Sequence, residues 1–254
     1  MNEEWRLLKT GFDTAFSNMA IDRAILVANS KGKAPPTVRL YGWKPAAISI
    51  GYFQSLEDEI DLKACRKFGV DYVRRITGGG AVFHDKELTY SIVISESHPQ
   101  IPKNIMESYG RICGAIMKGL GKLGVDSKYV PINDIVTNGK KISGNAQTRK
   151  MNTVLQHGTV LMDVDVDKMF SILKVPNEKI KDKLIADVKQ RVTSIKHVLG
   201  AEVDFEKVAD AMKIGFEEEF DIKLVERTLT NEEKKLARAF DVECFSTKEW
   251  NCRR

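Results

Sequence analysis

The chain has 254 residues, 43% of them hydrophobic, and 40 Lys/Arg against 35 Asp/Glu give it a net charge of +5. That length and apolar content suit one large domain, or one domain with a small appendage, with a full core, while no apolar run is long enough to span a bilayer and the opening Met1-Asn2-Glu3-Glu4-Trp5-Arg6 lacks the apolar stretch of a signal peptide, so a cytoplasmic protein with no membrane partner is expected. Residues 201–254 hold 10 Lys/Arg and 14 Asp/Glu, leaving 30 and 21 in residues 1–200; the positive main portion suits an anionic ligand or acidic partner, and no basic tract interleaved with aromatics points to nucleic acid.

In chain order, Asn18 to Val27 reads as a helix, with apolar Met19, Ile21, Ala24, Ile25 and Leu26. After Pro35-Pro36, two strands follow, Val38 to Trp43 and Ala46 to Tyr52, broken at Lys44-Pro45. Leu62 to Phe68 fits a short helix stopped by Gly69. Val70 to Arg75 is a strand that delivers the chain into Thr77-Gly78-Gly79-Gly80. Leu88, Tyr90, Ile92 and Ile94 alternate with Thr89, Ser91, Val93 and Ser95, a strand that is half buried or better. Asn104 to Leu123 carries apolar residues at helical spacing. Asn138-Gly139 between β-branched residues predicts a two-residue hairpin turn. Val154 to Met162 is a further strand, Asp167 to Leu173 a helix, and Pro176 starts a new turn. The tail reads as helical: a stripe from Phe205 to Phe220, then a capping box, Thr230-Asn231-Glu232-Glu233. This order predicts an α/β (α+β) fold, a mixed sheet flanked by helices. A catalytic domain over residues 1–200 and a helical extension over residues 201–254, packed on it and without a large C-terminal accessory domain, are expected.

Two stretches carry chemistry. In Arg74-Arg75-Ile76-Thr77-Gly78-Gly79-Gly80-Ala81-Val82-Phe83-His84-Asp85, glycines let the backbone approach a ligand and arginines supply cationic donors. It is neither a P-loop nor a Gly-x-Gly-x-x-Gly fingerprint. In the hairpin, the turn pairs Thr137 with Lys140, Val136 with Lys141, Ile135 with Ile142 and Asp134 with Ser143. That register puts Asp134, Val136, Lys141 and Ser143 on one face and Ile135 with Ile142 on the other. A lysine can neutralise negative charge that develops on a carboxylate and on a phosphate during adenylate formation, and Asp134 is a candidate Mg²⁺ ligand. A surface hairpin with a weak cross-strand ion pair is the plainer alternative.

Other signals are weaker. Adjacent His84 and Asp85 on a strand point opposite ways. His157 suits a ligand contact or a satisfied strand histidine equally. Asp163-Val164-Asp165-Val166-Asp167 lacks the glycine and distal glutamate of a calcium loop. Cys65, Cys113, Cys244 and Cys252 form no Cys-x-x-Cys pair, so a zinc site is not expected. Cys113 reads as a small core residue.

Together, the glycine stretch, Asn133-Asp134-Ile135 with Lys140-Lys141-Ile142-Ser143-Gly144-Asn145-Ala146, and Gln156-His157-Gly158-Thr159 resemble the signatures of the lipoate–protein ligases. The resemblance runs from about Trp5 through Arg191-Val192-Thr193, and more loosely to Glu249-Trp250-Asn251. It implies the catalytic fold shared with biotin–protein ligases and octanoyltransferases. It also implies a reaction in which lipoate and Mg-ATP give lipoyl-AMP, whose lipoyl group passes to a lysine of apo acceptor domains, namely acyltransferase subunits of 2-oxoacid dehydrogenases and the glycine-cleavage H protein. Carried over by motif, Lys141 is the catalytic lysine. Arg74, Gly78, Gly79, Gly80, Ala81 and Val82 flank the lipoyl-adenylate. Asn133 and Asp134 hold phosphate, metal or adenosine; Ser143, Gly144 and Ala146 line the site, with His157 at its edge. A separately encoded accessory protein is expected to assist adenylation.

Two other functions compete with the ligase. The layout of Trp43, Gly51-Tyr52-Phe53-Gln54, Gln147-Thr148-Arg149 and Glu249-Trp250-Asn251 also resembles the octanoyl-carrier-protein:protein octanoyltransferases. Those with this layout use a cysteine just upstream of the lysine motif, and Lys128-Tyr129-Val130-Pro131-Ile132-Asn133-Asp134 has none. The missing cysteine, with Asn133-Asp134 present, makes the ligase the leading expectation. A non-catalytic lipoyl-domain binding module is the third reading, disfavoured by an intact Lys141 and glycine loop.

Overall fold

The computed structural model describes residues 3–174 and 181–254. In chain order the elements are β1 (Glu3–Asp13), α1 (Ala15–Ser30), β2 (Thr37–Trp43), β3 (Ala47–Ile50), α2 (Leu56–Glu59), α3 (Leu62–Phe68), β4 (Asp71–Arg74), β5 (Val82–His84), β6 (Glu87–Ser95), α4 (Ile105–Lys122) and β7 (Lys128–Val130). There follow β8 (Asp134–Thr137), β9 (Lys140–Lys150), β10 (Thr153–Leu161), α5 (Val166–Phe170), α6 (Lys181–Arg191), α7 (Ile195–Leu199), α8 (Phe205–Phe220), β11 (Ile222–Glu226), α9 (Asn231–Phe240) and α10 (Lys248–Asn251). The turn expected at Pro176 lies outside the described residues.

The mixed α/β architecture is the expected one. An eight-stranded sheet runs β11-β1-β2-β6-β10-β9-β8-β7, and a three-stranded sheet runs β4-β3-β5. Strand alternation sorts the large sheet into two buried faces. Leu7, Leu40, Ile92 and Val154 pack on one side with residues of α4 and α8. Their neighbours Leu8, Tyr41, Val93 and Leu155 pack on the other with residues of α1 and α9. Helices on both faces make β6 buried on both, apart from its last residue.

Local signals place several ends. Asn104 caps α4 through Met106 and Glu107 N–H, and Gly69 ends α3 in the left-handed region at φ 62°. The capping box at Thr230 forms as expected.

The tail is not wholly helical, which corrects the sequence reading. Ile222–Glu226 is a strand that adds to the large sheet parallel to β1. β1 itself escaped notice because Arg6 and Lys9 interrupt its apolar pattern. Arg6 is nevertheless buried, gripping Glu233 of α9 with Nη1–Oε2 and Nη2–Oε1 at 2.8 and 2.5 Å. The tail thus closes one edge of the sheet and clasps its first strand.

Candidate active site

A cleft opens where the small sheet meets β9 and β10. Met19, Tyr41, Trp43, Ala81 and Val82 supply apolar lining, and Ser49, Arg75, His84, Thr89, Asn133, Lys141, Asn145 and His157 supply polar groups. Gly79, Gly80, Gly144, Ala146, Gly158 and Thr159 complete it.

The glycine loop owes its shape to the neighbour of the residue first singled out. Arg74 does not flank the cleft. Its side chain donates to the carbonyls of Gly51, Tyr52, Gln54, Trp250 and Asn251. Asn251 Oδ1 also receives the Arg74 N–H, and Trp250 Nε1 donates to the Arg74 carbonyl. Arg74 therefore ties the tail to the end of β4. Arg75, pointing the opposite way as strand alternation requires, lines the cleft. Its Nη2 donates to the Gly78 and Gly80 carbonyls at 2.9 and 2.8 Å, so the loop wraps around the guanidinium. Burial lowers the Arg75 pKa to about 10. Gly78 takes this contact and is not part of the wall, unlike Gly79, Gly80, Ala81 and Val82. Gly79 sits at φ 99°, and its carbonyl lies only 1.9 Å from where a Cβ on Gly51 would stand, so both positions require glycine.

The hairpin departs from the register expected of it. Thr137 pairs with Lys140 and Val136 with Lys141, but a bulge then pairs Ile135 with Ser143 and Asp134 with Gly144. The extra residue reverses alternation beyond it. Ser143 consequently turns inward, fully buried and off the cleft wall. Lys141 and Asp134 still meet, Nζ to Oδ1 at 2.7 Å, with both side chains more than a third exposed. Gly144 makes room for the ammonium: a Cβ there would lie 2.7 Å from Lys141 Cε and 2.8 Å from Nζ. Asn133 and Asn145 staple the approach to the hairpin. Asn133 Nδ2 donates to the Asn145 carbonyl at 2.6 Å, and Asn145 N and Nδ2 donate back to the Asn133 carbonyl.

The Asp134 carboxylate is committed to Lys141, and no cluster of three His, Cys, Asp or Glu suited to a metal occurs among the described residues.

His157 lies deep in the wall rather than at its edge. Its Nε2 is 2.7 Å from Thr77 Oγ1, which pins the start of the glycine loop, and its Nδ1 is 3.4 Å from Asp22 Oδ2. Burial holds its pKa below the usual histidine value despite the Asp22 hydrogen bond. His84 and Asp85 do part company. Asp85 pairs with Lys168 at 2.9 Å, while His84 faces Ser49 and Glu87.

Ser49 and Thr89 were not among the residues singled out for the site. Their common signal, a position on a strand bordering the glycine loop or hairpin, emerges only once strands are paired.

No cysteine lines the cleft. Cys65 and Cys113 are buried in core clusters, and burial pushes their thiols up to about 11 and about 12. Cys244 accepts a hydrogen bond from Arg23 Nη1 at 3.1 Å, and Cys252 lies next to Asn251 at the end of α10.

Comparison with known proteins places this geometry. Residues 14–217 match the family model of the lipoyl protein ligase A/B catalytic domain. Octanoyltransferase LipM of Geobacillus kaustophilus is 40% identical over 99% of this chain and 99% of its own length. LipM of Bacillus subtilis is 34% identical over the same shares. Among solved structures, the bipartite lipoate protein ligase of Thermoplasma acidophilum, described with its E2 lipoyl domain, superposes with a TM-score of 0.90 at 33% identity, covering 98% of this chain and 96% of that one. A lipoate-protein ligase A bound with ATP superposes at 0.84 with 31% identity, covering 98% of each chain.

The expectation of an ATP-dependent lipoate ligase is overturned by these relatives. Full-length relatives at 34–40% identity are octanoyltransferases, the reading set second on the sequence. The missing cysteine upstream of Lys141 had been weighed too heavily. Among the described residues, no helix is long and apolar enough to cross a membrane.

Proposed function

The chain belongs to the lipoyl protein ligase A/B catalytic-domain family, and on that premise we propose that it is a protein octanoyltransferase. It moves an octanoyl group from the thioester of an acyl carrier protein to the ε-amine of a lysine on an apo lipoyl domain. The observation that carries this reading is the identity of 34–40% to octanoyltransferases over essentially the whole chain. The lipoyl domain described with the Thermoplasma ligase supports the choice of acceptor.

The cleft suits the chemistry. Met19, Trp43, Ala81 and Val82 offer apolar surface to a saturated acyl chain, whose burial contributes about 0.8 kcal/mol per methylene. A thioester already carries an activated carbonyl, so transfer needs charge stabilisation and water exclusion rather than a nucleotide. Lys141 supplies the charge: its ammonium stands at the mouth of the site and stabilises negative charge on the acyl carbonyl oxygen. Asp134 orients it from outside the wall. Gly79 and Gly80 shape the slot, with Gly78 held to Arg75 behind them. The Asn133–Asn145 staple, Gly144 and Ala146 hold the opposite wall, and His157 fixes the loop through Thr77.

The test presents octanoyl carrier protein and an apo lipoyl domain to the enzyme and reads the acceptor by intact mass. Wild type adds one octanoyl group per acceptor. Lys141→Ala, which removes a half-exposed side chain, stays folded and loses transfer by about 10²–10³-fold. Transfer by Lys141→Ala at the wild-type rate refutes the role given to that residue.

A further inference from the structure

The sheet face that carries Lys141 runs on to a free edge. β7 is the last strand of the large sheet, beyond β8. Val130 pairs with Asp134 and Lys128 with Val136, and Val136 pairs in turn with Lys141. Directly opposed residues of antiparallel strands project to the same side, so Lys128 and Val130 share the face of the Asp134–Lys141 ion pair. Two strand spacings set Val130 about 10 Å across the sheet from β9. Tyr129, Ile135 and Ile142 take the opposite face and pack into the core.

Apolar side chains stand exposed along this edge. Val130 is 37% exposed and Ile132 62%. The Tyr129 hydroxyl donates to the Ile132 carbonyl at 2.5 Å, and Asn133 is stapled to Asn145. The turn between β7 and β8 is thus held by its backbone while the Ile132 side chain is left outside. Exposed apolar residues scattered singly are ordinary. Here two of them lie within three residues, on a free edge, and join the cleft wall through Asn133. Together they form a ledge beside the mouth. Its charge is positive: Lys128, Lys141 and Arg191 stand against Asp126 and Asp134. Asp134 is already neutralised by Lys141. Lys128 and Arg191 are exposed and make no ion pair among the described residues. Arg191 immediately precedes Val192, whose backbone bridges to Lys141.

Resting on the octanoyl-transfer reading, we propose that this ledge, Val130 and Ile132 with Lys128 beside them, docks the acceptor: an apo lipoyl domain that presents acidic residues and an apolar side chain around its target lysine. Reach selects the acceptor over the carrier. The acceptor amine sits at the end of a single lysine side chain, so its domain must rest close to the acyl carbonyl that Lys141 faces. A carrier brings its acyl group on a long flexible arm and can dock well away from the mouth. At the ledge, apolar contact supplies affinity, and the unpaired cations steer an acidic partner toward it. The ledge therefore sets how well the acceptor is recognised, while the cleft sets which acyl group it receives.

Val130→Asp, Ile132→Asp and Lys128→Glu, all at exposed positions, are compared with the wild type. Octanoyl transfer is measured while apo lipoyl domain and octanoyl carrier protein are varied in turn, and urea unfolding checks each fold. Binding of the apo lipoyl domain is also read by calorimetric titration with no acyl donor present. Val130→Asp and Ile132→Asp raise KM for the lipoyl domain by about tenfold or more and weaken its binding in parallel, with KM for the carrier unchanged. Ile132→Ala, which adds no charge and leaves the backbone alone, moves the same way to a smaller extent. Lys128→Glu weakens acceptor binding at low salt, and the difference closes as salt is added. Acceptor KM and binding that stay at wild-type values in these variants, or a rise confined to carrier KM, overturn this inference and leave the transfer reading standing. A wild type that binds the lipoyl domain but moves no octanoate from the carrier overturns the transfer reading itself, and the titration still decides the ledge.

Discussion

Gly144→Ala tests whether the position of the Lys141 ammonium, rather than its mere presence, sets the rate. An added Cβ would lie 2.7 Å from Lys141 Cε and 2.8 Å from Nζ. Comfortable carbon contacts are about 3.5–4.0 Å, so the end of the side chain must retreat by about 1 Å. A misplacement of that size at a reacting centre costs about 10²-fold in rate. Stability should barely change, because the atoms struck are the tip of a half-exposed side chain and Gly144 is not in the left-handed region. The entropy lost from the unfolded chain offsets part of any strain. Octanoyl-transfer kinetics and urea unfolding are read on the same preparation. The expected pattern is a fall of about 10²-fold in kcat with unfolding free energy within about 1 kcal/mol of wild type. Wild-type kinetics would show that the ammonium's position is not critical. A large loss of stability would show that the crowding falls on the fold rather than on the lysine.

Three further predictions concern the frame around the site. Arg6→Met leaves the Glu233 carboxylate buried without its cation, and should cost about 3–5 kcal/mol in denaturant unfolding; a loss below about 1 kcal/mol contradicts the clasp between β1 and the tail. His157 has a folded pKa below its unfolded 6.5, so on acidification the unfolded chain takes up a proton first. Stability should therefore fall as pH drops below 6.5, by up to about 1.4 kcal/mol per pH unit from this group. His157→Gln should flatten that slope, and an unchanged slope places the proton uptake elsewhere. Replacing Cys65 and Cys113 by alanine and Cys244 and Cys252 by serine should leave transfer within a few-fold of wild type, since none of the four lines the cleft; loss of transfer in any single variant returns a thiol to the mechanism.

Features governed by neighbouring residues were legible in the sequence. α3 runs from Leu62 to Phe68 with Gly69 as its stop, and the Thr230 capping box opens α9, both as local chemistry dictates. Features governed by distant partners were not. Arg6 reads as a strand breaker until Glu233, far away in sequence, is seen to neutralise it. Arg74 and Arg75 are chemically alike, and only the register of β4 against β3 decides which faces the cleft. Asn138-Gly139 fixes the first two pairs of the hairpin, but the bulge beyond Val136 sends Ser143 inward. Ser49 and His84 meet because β3 and β5 pair, which no motif announces. The functional reading erred for a related reason. A cysteine missing from one segment, with Asn133-Asp134 present, was taken to favour the ligase, although likeness along the whole chain to octanoyltransferases bore more strongly on the reaction.

The most direct test of the transfer reading uses no nucleotide at all. Purified enzyme is given octanoyl carrier protein and apo lipoyl domain in nucleotide-free buffer, beside a reaction holding free lipoate, ATP and Mg²⁺ in place of the carrier. The account predicts an octanoylated acceptor lysine in the first reaction at a rate that added ATP does not raise. An acceptor modified only in the second reaction would contradict it.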